Sequence, residues 1–238
     1  MRLAVRGSWD WLWYHHPGEG PTERAMSSDE RSSTLSIRSG IKDEALLAER
    51  RSLVVEKATE LFIARGFAEV SVNEIAEFAG ISVGSLYKYI RAKEDLLWLV
   101  MQSIYGTLED MLEAQRKEAS GPQAALEHTV RRLFEAVDTV SRGILLMYRE
   151  YRHLPAEGQQ EFMGREERIL AIFRAIIEDG NARGSFQCPH PDLAALDILM
   201  AAHAWSLKRW VLPRGMSRDE YVERQVALIR QLVGTIPG

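Results

Sequence analysis

A chain of 238 residues, 46% hydrophobic and 27% charged, is long enough for one or two domains with a real core. Its net charge of −4 argues against sequence-blind coating of nucleic acid, and its single cysteine, Cys188, excludes an intramolecular disulfide framework and fits a reducing cytoplasm. The longest uninterrupted apolar run, Leu96 to Met101, falls far short of the roughly 20 residues that cross a bilayer, so no membrane partner is expected.

Residues 1–40 mix Gly, Pro, Ser and charge without periodicity, and they hold Trp9, Trp11 and Trp13. Asp10 and His15-His16 interrupt any secretory apolar stretch. We read this segment as a disordered extension, with Met26 as a candidate true start; a short strand or a sticky arm is the alternative. A first helix is then expected from about Asp43 to Arg65, with Leu53, Val54, Ala58, Leu61 and Phe62 inward and Gly66 ending it.

The stretch from Val70 to Leu97 carries the strongest local signals. Ser71 and Glu74 have capping-box spacing, with Val70 and Ile75 as the staple pair. Ser82 can cap a second helix, with Ile81 and Leu86 in the same relation. Ala79-Gly80-Ile81 makes the turn between them. Val72, Ile75, Ala76 and Ala79 fall at i, i+3, i+4, i+7, and so do Val83, Leu86, Tyr87 and Ile90. Two capped amphipathic helices around a glycine turn describe a helix-turn-helix, whose second helix can enter a DNA major groove. Its other face offers Ser85, Lys88 and Tyr89, followed by Arg91 and Lys93, and Gly84 permits close backbone approach. An ordinary solvated helical hairpin is the competing reading. From Lys42 to Val100 there are eight Lys/Arg against ten Asp/Glu, so affinity for DNA must come from a local cluster that includes Arg50, Arg51, Lys88, Arg91 and Lys93.

A fourth helix is predicted from Lys93 towards Arg116, bent slightly at Gly106 and joining head to body without a flexible linker. The body reads as all helix: Gln123–Val140, Gly143–Leu154, Ala156–Asn181, Asp192–Val211 and Ser217–Val233. In the last pair, Leu193, Leu196, Met200, His203-Ala204 and Leu207 form one stripe, and Tyr221, Leu228-Ile229 and Leu232-Val233 another. These stripes either meet a second subunit or cover the chain's own core. Phe134, Met147, Tyr148, Tyr151, Phe173, His203 and Trp205 are candidates to line a small-molecule pocket of mainly apolar tone, suited to a hydrophobic or acyl-chain ligand; core packing is the competing role of each.

Catalysis finds little support. Glu150 and His153 have Glu-x-x-His spacing, but a di-iron bundle needs a second such pair, and the sequence has none. Cys188 and His190 are two ligands at most. There is no phosphate-cradling glycine loop and no G-x-S-x-G elbow, so we expect no cofactor, no metal and no catalytic residue. A helical protein–protein adaptor would explain the stripes but not the pattern from Ser82 to Tyr89.

The run from about Arg50 to Leu97 resembles the N-terminal domain of the tetracycline-repressor (TetR) family of bacterial transcription regulators. The resemblance rests on Ala58, Leu61-Phe62 and Gly66-Phe67, then Ser71-Val72, Ile75-Ala76 and Ala79-Gly80. It continues through Ile81 to Tyr89 and Lys93-Glu94-Asp95-Leu96-Leu97, with Ile90 where the family often has phenylalanine. Beyond the extension read over 1–40, it implies an all-α protein: a three-helix DNA-binding head over 41–93 and a larger helical-bundle ligand and dimerisation domain over 94–238. It implies Val83, Gly84, Ser85 and Tyr87 at base edges beside the capping Ser82, Asn73 near a neighbouring base, and Lys88, Tyr89 and Lys93 on phosphates. It further implies a homodimer through the last two helices, a near-palindromic operator in double-stranded DNA, and a small-molecule effector.

Overall fold

Apolar side chains recurring every three to four residues bury one stripe of a helix, and here that pattern runs almost unbroken. The computed structural model describes residues 44–106 and 108–234, so the expectations for the N-terminal extension lie outside the described residues. Among the described residues every regular element is helical. Helix α1 spans Glu44–Arg65, α2 Val72–Phe78, α3 Val83–Leu86, α4 Lys93–Tyr105 and α5 Leu108–Glu118. They are followed by α6 Pro122–Thr139, α7 Ser141–Glu150, α8 Ala156–Ala182, α9 Pro191–Leu207 and α10 Arg218–Leu232. Short 3₁₀ turns at Tyr151–His153 and Arg209–Val211 finish α7 and α9.

Helix α1 presents Val54, Ala58 and Phe62 to α2, α4 and α7, while Leu53, expected inward, is exposed. Gly66 closes it, returning its N–H to the Phe62 carbonyl at 2.8 Å. Helix α4 is buried almost all round, from Leu96 to Met101. Its start is fixed by Asp95, whose carboxylate accepts the backbone N–H groups of Arg91 at 2.8 Å and Ala92 at 3.2 Å.

The single bent helix expected from Lys93 to Arg116 is two helices. Gly106 adopts φ 46°, ψ −124°, a region closed to residues with a Cβ, and its N–H still closes α4 on the Gln102 carbonyl. Helix α4 packs on α1 and α7, whereas α5 packs on α6 and α8. The body core lies between α6, α8 and α9, around Leu133, Phe173, Ile177, Ala195 and Ile198. The Phe186 ring packs directly against Gly180 of α8, where any Cβ would overlap it. On α10 the expected stripe divides: Tyr221, Ile229 and Val233 point inward, while Leu228 and Leu232 are exposed.

Candidate nucleic-acid interface and body cavity

The turn around Gly80 is set by its caps. Ser71 Oγ accepts the Glu74 N–H at 3.2 Å, and Glu74 Oε2 accepts the Ser71 N–H at 2.8 Å, a complete capping box. Arg65 Nη1 donates to the other Glu74 oxygen at 2.6 Å, tying α1 to α2. The Ser71 backbone N–H, then Arg65 and the Ser71 hydroxyl, hold the Glu74 carboxyl down at about 2. At the far end of α2, Gly80 takes φ 67° and Ile81 N–H reaches back to the Ala76 carbonyl at 2.9 Å. That bond turns the chain straight into α3.

Helix α3 is a single turn. Ser82 Oγ caps it by accepting the Ser85 N–H at 3.1 Å, and the two hydroxyls stand 2.8 Å apart. Leu86 and Ile90 anchor its inner side. Asn73, Ser82, Gly84, Tyr87 and Lys88 are exposed, and Val83 and Ser85 are half-buried on the same outward surface.

Two tyrosines depart from the expected periodicity. Beyond Leu86 two hydrogen bonds step three residues, Lys88 N–H to Ser85 and Tyr89 N–H to Leu86, while Ile90 N–H keeps the four-residue step to Leu86. A three-residue repeat brings Tyr89 over Leu86 and turns Tyr87 outward. Tyr87 is therefore 51% exposed, whereas Tyr89 is 3% exposed with an unpartnered hydroxyl. Tyr89, expected on phosphate, is a core residue and leaves the candidate DNA set. Lys93 is half-buried: its ammonium lies 4.2 Å from the centre of the Phe67 ring and donates to the Ala68 carbonyl at 3.5 Å.

The head is gripped from behind by α7. Arg149 Nη2 donates to the Phe62 carbonyl, and its Nε donates to Glu150 Oε1 at 2.6 Å. The same Glu150 oxygen accepts the Phe67 N–H at 3.2 Å, and His153 Nδ1 lies 3.1 Å from its partner oxygen. The Phe67 ring completes the contact, 5.4 Å from both Phe62 and His153. Glu150, weighed in the sequence as half of a metal-binding pair, is thus committed to the joint between α1 and α7. Among the described residues no three His, Cys, Asp or Glu side chains cluster to hold a metal; Cys188 is buried, with its backbone bonded to Asn181.

A cavity of about 270 Å³ opens beside Gly106, where α4 breaks from α5. Ile104, Tyr105, Met111, Ile144, Ile169 and Leu199 form much of its wall, and Arg132, Glu135 and His203 add polar groups. Of the seven expected pocket residues only His203 borders it. Phe134, Met147 and Phe173 are consumed in close packing. Trp205 stacks near Tyr221 and donates to Asp138 at 2.7 Å, and the Tyr151 ring lies against Phe162. Tyr148 is 46% exposed but reaches His203 Nδ1 at 2.9 Å, behind the cavity wall. Below this pair Tyr105 donates to Glu166 at 3.2 Å, and burial raises the carboxyl of Glu166. Apolar helix spacing does not distinguish a wall from a core, so the sequence missed the aliphatic lining; Gly106 inside a helical stretch was the usable signal.

Comparison with known proteins agrees with this layout. Residues 54–98 match "Bacterial regulatory proteins, tetR family", and residues 119–233 match "Tetracyclin repressor-like, C-terminal domain". The chain is 30% identical over 209 residues to the HTH-type transcriptional regulator HbdR of Aromatoleum sp. (strain CIB), covering 88% of this chain and 91% of that protein. It is 29% identical over 180 residues to the HTH-type transcriptional repressor KstR2 of Rhodococcus jostii (strain RHA1), covering 74% and 86%. Among solved structures, a tetR-family regulatory protein from Rhodococcus RHA1 superposes with a TM-score of 0.72 at 22% identity, over 79% of this chain and 99% of that one. AibR, solved with isovaleryl coenzyme A and operator DNA, superposes with a TM-score of 0.65 at 19% identity, over 79% and 100%.

Proposed function

Because the chain belongs to the TetR family of DNA-binding transcription regulators, we propose that it is a homodimeric repressor, released from a near-palindromic operator when a small apolar or acyl-bearing effector enters the body. The observation that carries this reading is the two-sidedness of the short helix α3. Leu86 and Ile90 fix it into the core, while Ser82, Gly84, Tyr87 and Lys88 stand together in solvent. In this assignment Val83, Gly84, Ser85 and Tyr87 meet base edges, Asn73 reaches a neighbouring base, and Lys88 and Lys93 hold phosphates.

We place the head at residues 41–93 and the body at 94–238. Leu193, Leu196 and Met200 of α9, with Leu228 and Leu232 of α10, are exposed apolar residues on the last two helices. Such a surface is the natural seat of a second protomer. A two-fold pair would set its reading helices about 34–36 Å apart, one turn of DNA. The working compartment in this reading is the cytoplasm, and no catalytic step is assigned. Among the described residues no helix is long and apolar enough to cross a membrane.

Selecting bound fragments from a random DNA library, with light scattering on the free protein, tests the proposal. We expect a dimer and a motif of two inverted half-sites. A monomer with no preference over random competitor overturns it.

A further inference from the structure

The cavity at the α4–α5 break has a distinctive electrical character. Arg132 donates to Glu135 at 2.6 Å and to Met111 Sδ at 2.9 Å, so the cation at its edge is already neutralised. The remaining wall is largely aliphatic, with Tyr105, Thr139 and His203 as its other polar residues, and His203 is 2% exposed. Burial lowers the imidazole to about 4, so near neutral pH the ring is uncharged. Tyr148, raised by burial to about 12, keeps its proton and stands 2.9 Å from His203 Nδ1. In the tautomer that has the phenol donating to Nδ1, the one on which the assignment below rests, the neutral ring carries its own proton on Nε2, at the edge remote from Tyr148.

We propose that this cavity takes a small apolar molecule by an uncharged carbonyl oxygen (amide, ester, thioester or ketone), which accepts a hydrogen bond from His203 Nε2 while the hydrocarbon part lies among Ile104, Ile144, Ile169 and Leu199. The assignment rests on the effector-responsive reading above and adds the chemistry of the ligand. A carboxylate would have to shed its hydration in a wall whose one cation is already paired, and an ammonium would face a donor. The volume suits about ten non-hydrogen atoms at ordinary packing density.

Three probes of matched length test this by calorimetric titration: octanamide, octanoate and octylamine. Octanamide is expected to bind at least about tenfold more tightly than either charged probe, the effect of burying one unpaired charge. His203→Phe should weaken octanamide about tenfold, the loss of one buried hydrogen bond, and His203→Gln, which keeps a donor, should restore most of it. Thermal unfolding identifies any variant that fails to fold, and Ile144→Phe, which adds bulk to the lining at another residue, should weaken octanamide with His203 intact. Equal or tighter binding of octanoate overturns the proposal, as does octanamide affinity unchanged by His203→Phe. Loss of operator binding in the same preparation would count against the regulator reading; failure of all three probes with operator binding intact counts against this proposal alone.

Discussion

Arg149 and Phe62 stand 87 residues apart in the chain, and the arginine Nη2 donates to the phenylalanine carbonyl across 3.0 Å. That carbonyl also receives Gly66 N–H. The next residue, Phe67, gives its N–H to Glu150. The last turn of α1 is therefore completed by side chains of α7, so any movement of α7 acts directly on the head.

Glu150→Gln should loosen that joint without emptying it. The amide keeps one acceptor for Phe67 N–H but loses the charge that holds Arg149, a cost of about 2 kcal/mol for a buried charge-assisted hydrogen bond. Hydrogen exchange should show faster opening at the Phe67 amide, with the amides of α8 and α9 slowed or quickened far less. Unchanged protection at Phe67 would remove the joint from the mechanism.

Lys88→Ala should weaken every DNA fragment alike and flatten the salt dependence by about 0.9 per subunit, the contribution of one phosphate contact. Because Lys88 is exposed, its melting temperature should not change. Lys93→Ala should show the same loss of slope with a lowered melting temperature, since that ammonium also sits over Phe67 and bonds Ala68. A salt titration that leaves the slope of either variant at the wild-type value would strike that lysine from the phosphate contacts.

Ser82 and Ser85 share one hydrogen bond but should fail differently. Ser82→Ala removes the cap of α3, about 1 kcal/mol, and lowers affinity for all operators. Ser85→Ala leaves the cap oxygen in place and should re-rank operators that differ at the base pairs it faces. Competition assays against single-base variants separate the two, and an unchanged ranking with Ser85→Ala would place Ser85 away from the bases.

The pH dependence of stability should carry the mark of His203. Its folded value, about 4, lies below the ordinary histidine value of 6.5, so between the two the unfolded chain takes up a proton that the folded chain refuses. Stability is then full above 6.5, falls as pH is lowered through that window and levels off below 4, a change of roughly 3 kcal/mol. Denaturant titrations of the wild type and His203→Phe across this range should converge in slope only outside it. Parallel curves within the window would show that the imidazole is protonated inside the fold.

Local chemistry was legible in the sequence because its partners are near neighbours. Ser71 with Glu74, Ser82 with the N–H three residues on, and Gly66 and Gly80 as helix ends are all decided within one turn of chain. The 3.6-residue repeat puts Tyr87 on the buried stripe and Tyr89 off it, whereas the three-residue hydrogen bonds of Lys88 and Tyr89 reverse the two. Tyr87 is exposed, as a base-edge residue must be, and Ile90 stays buried. The Arg149–Glu150 grip left no local trace, since its partners Phe62 and Phe67 offer backbone groups that any residue would carry. Aromatic and methionine content marks burial, and Phe134, Met147 and Phe173 are buried without bordering the cavity beside Gly106.

The interruption at Gly106 also sets the cost of signalling. Had residues 93 to 118 formed one continuous rod, tilting the DNA-reading end against the body would have required stretching or melting helical turns. With α4 closed by the Gly106 N–H and the two helices packed on different neighbours, a tilt of one against the other can be taken up by torsion at a residue without a side chain. An occupant of the adjoining hollow of only some ten heavy atoms then has enough leverage, because it works against a swivel.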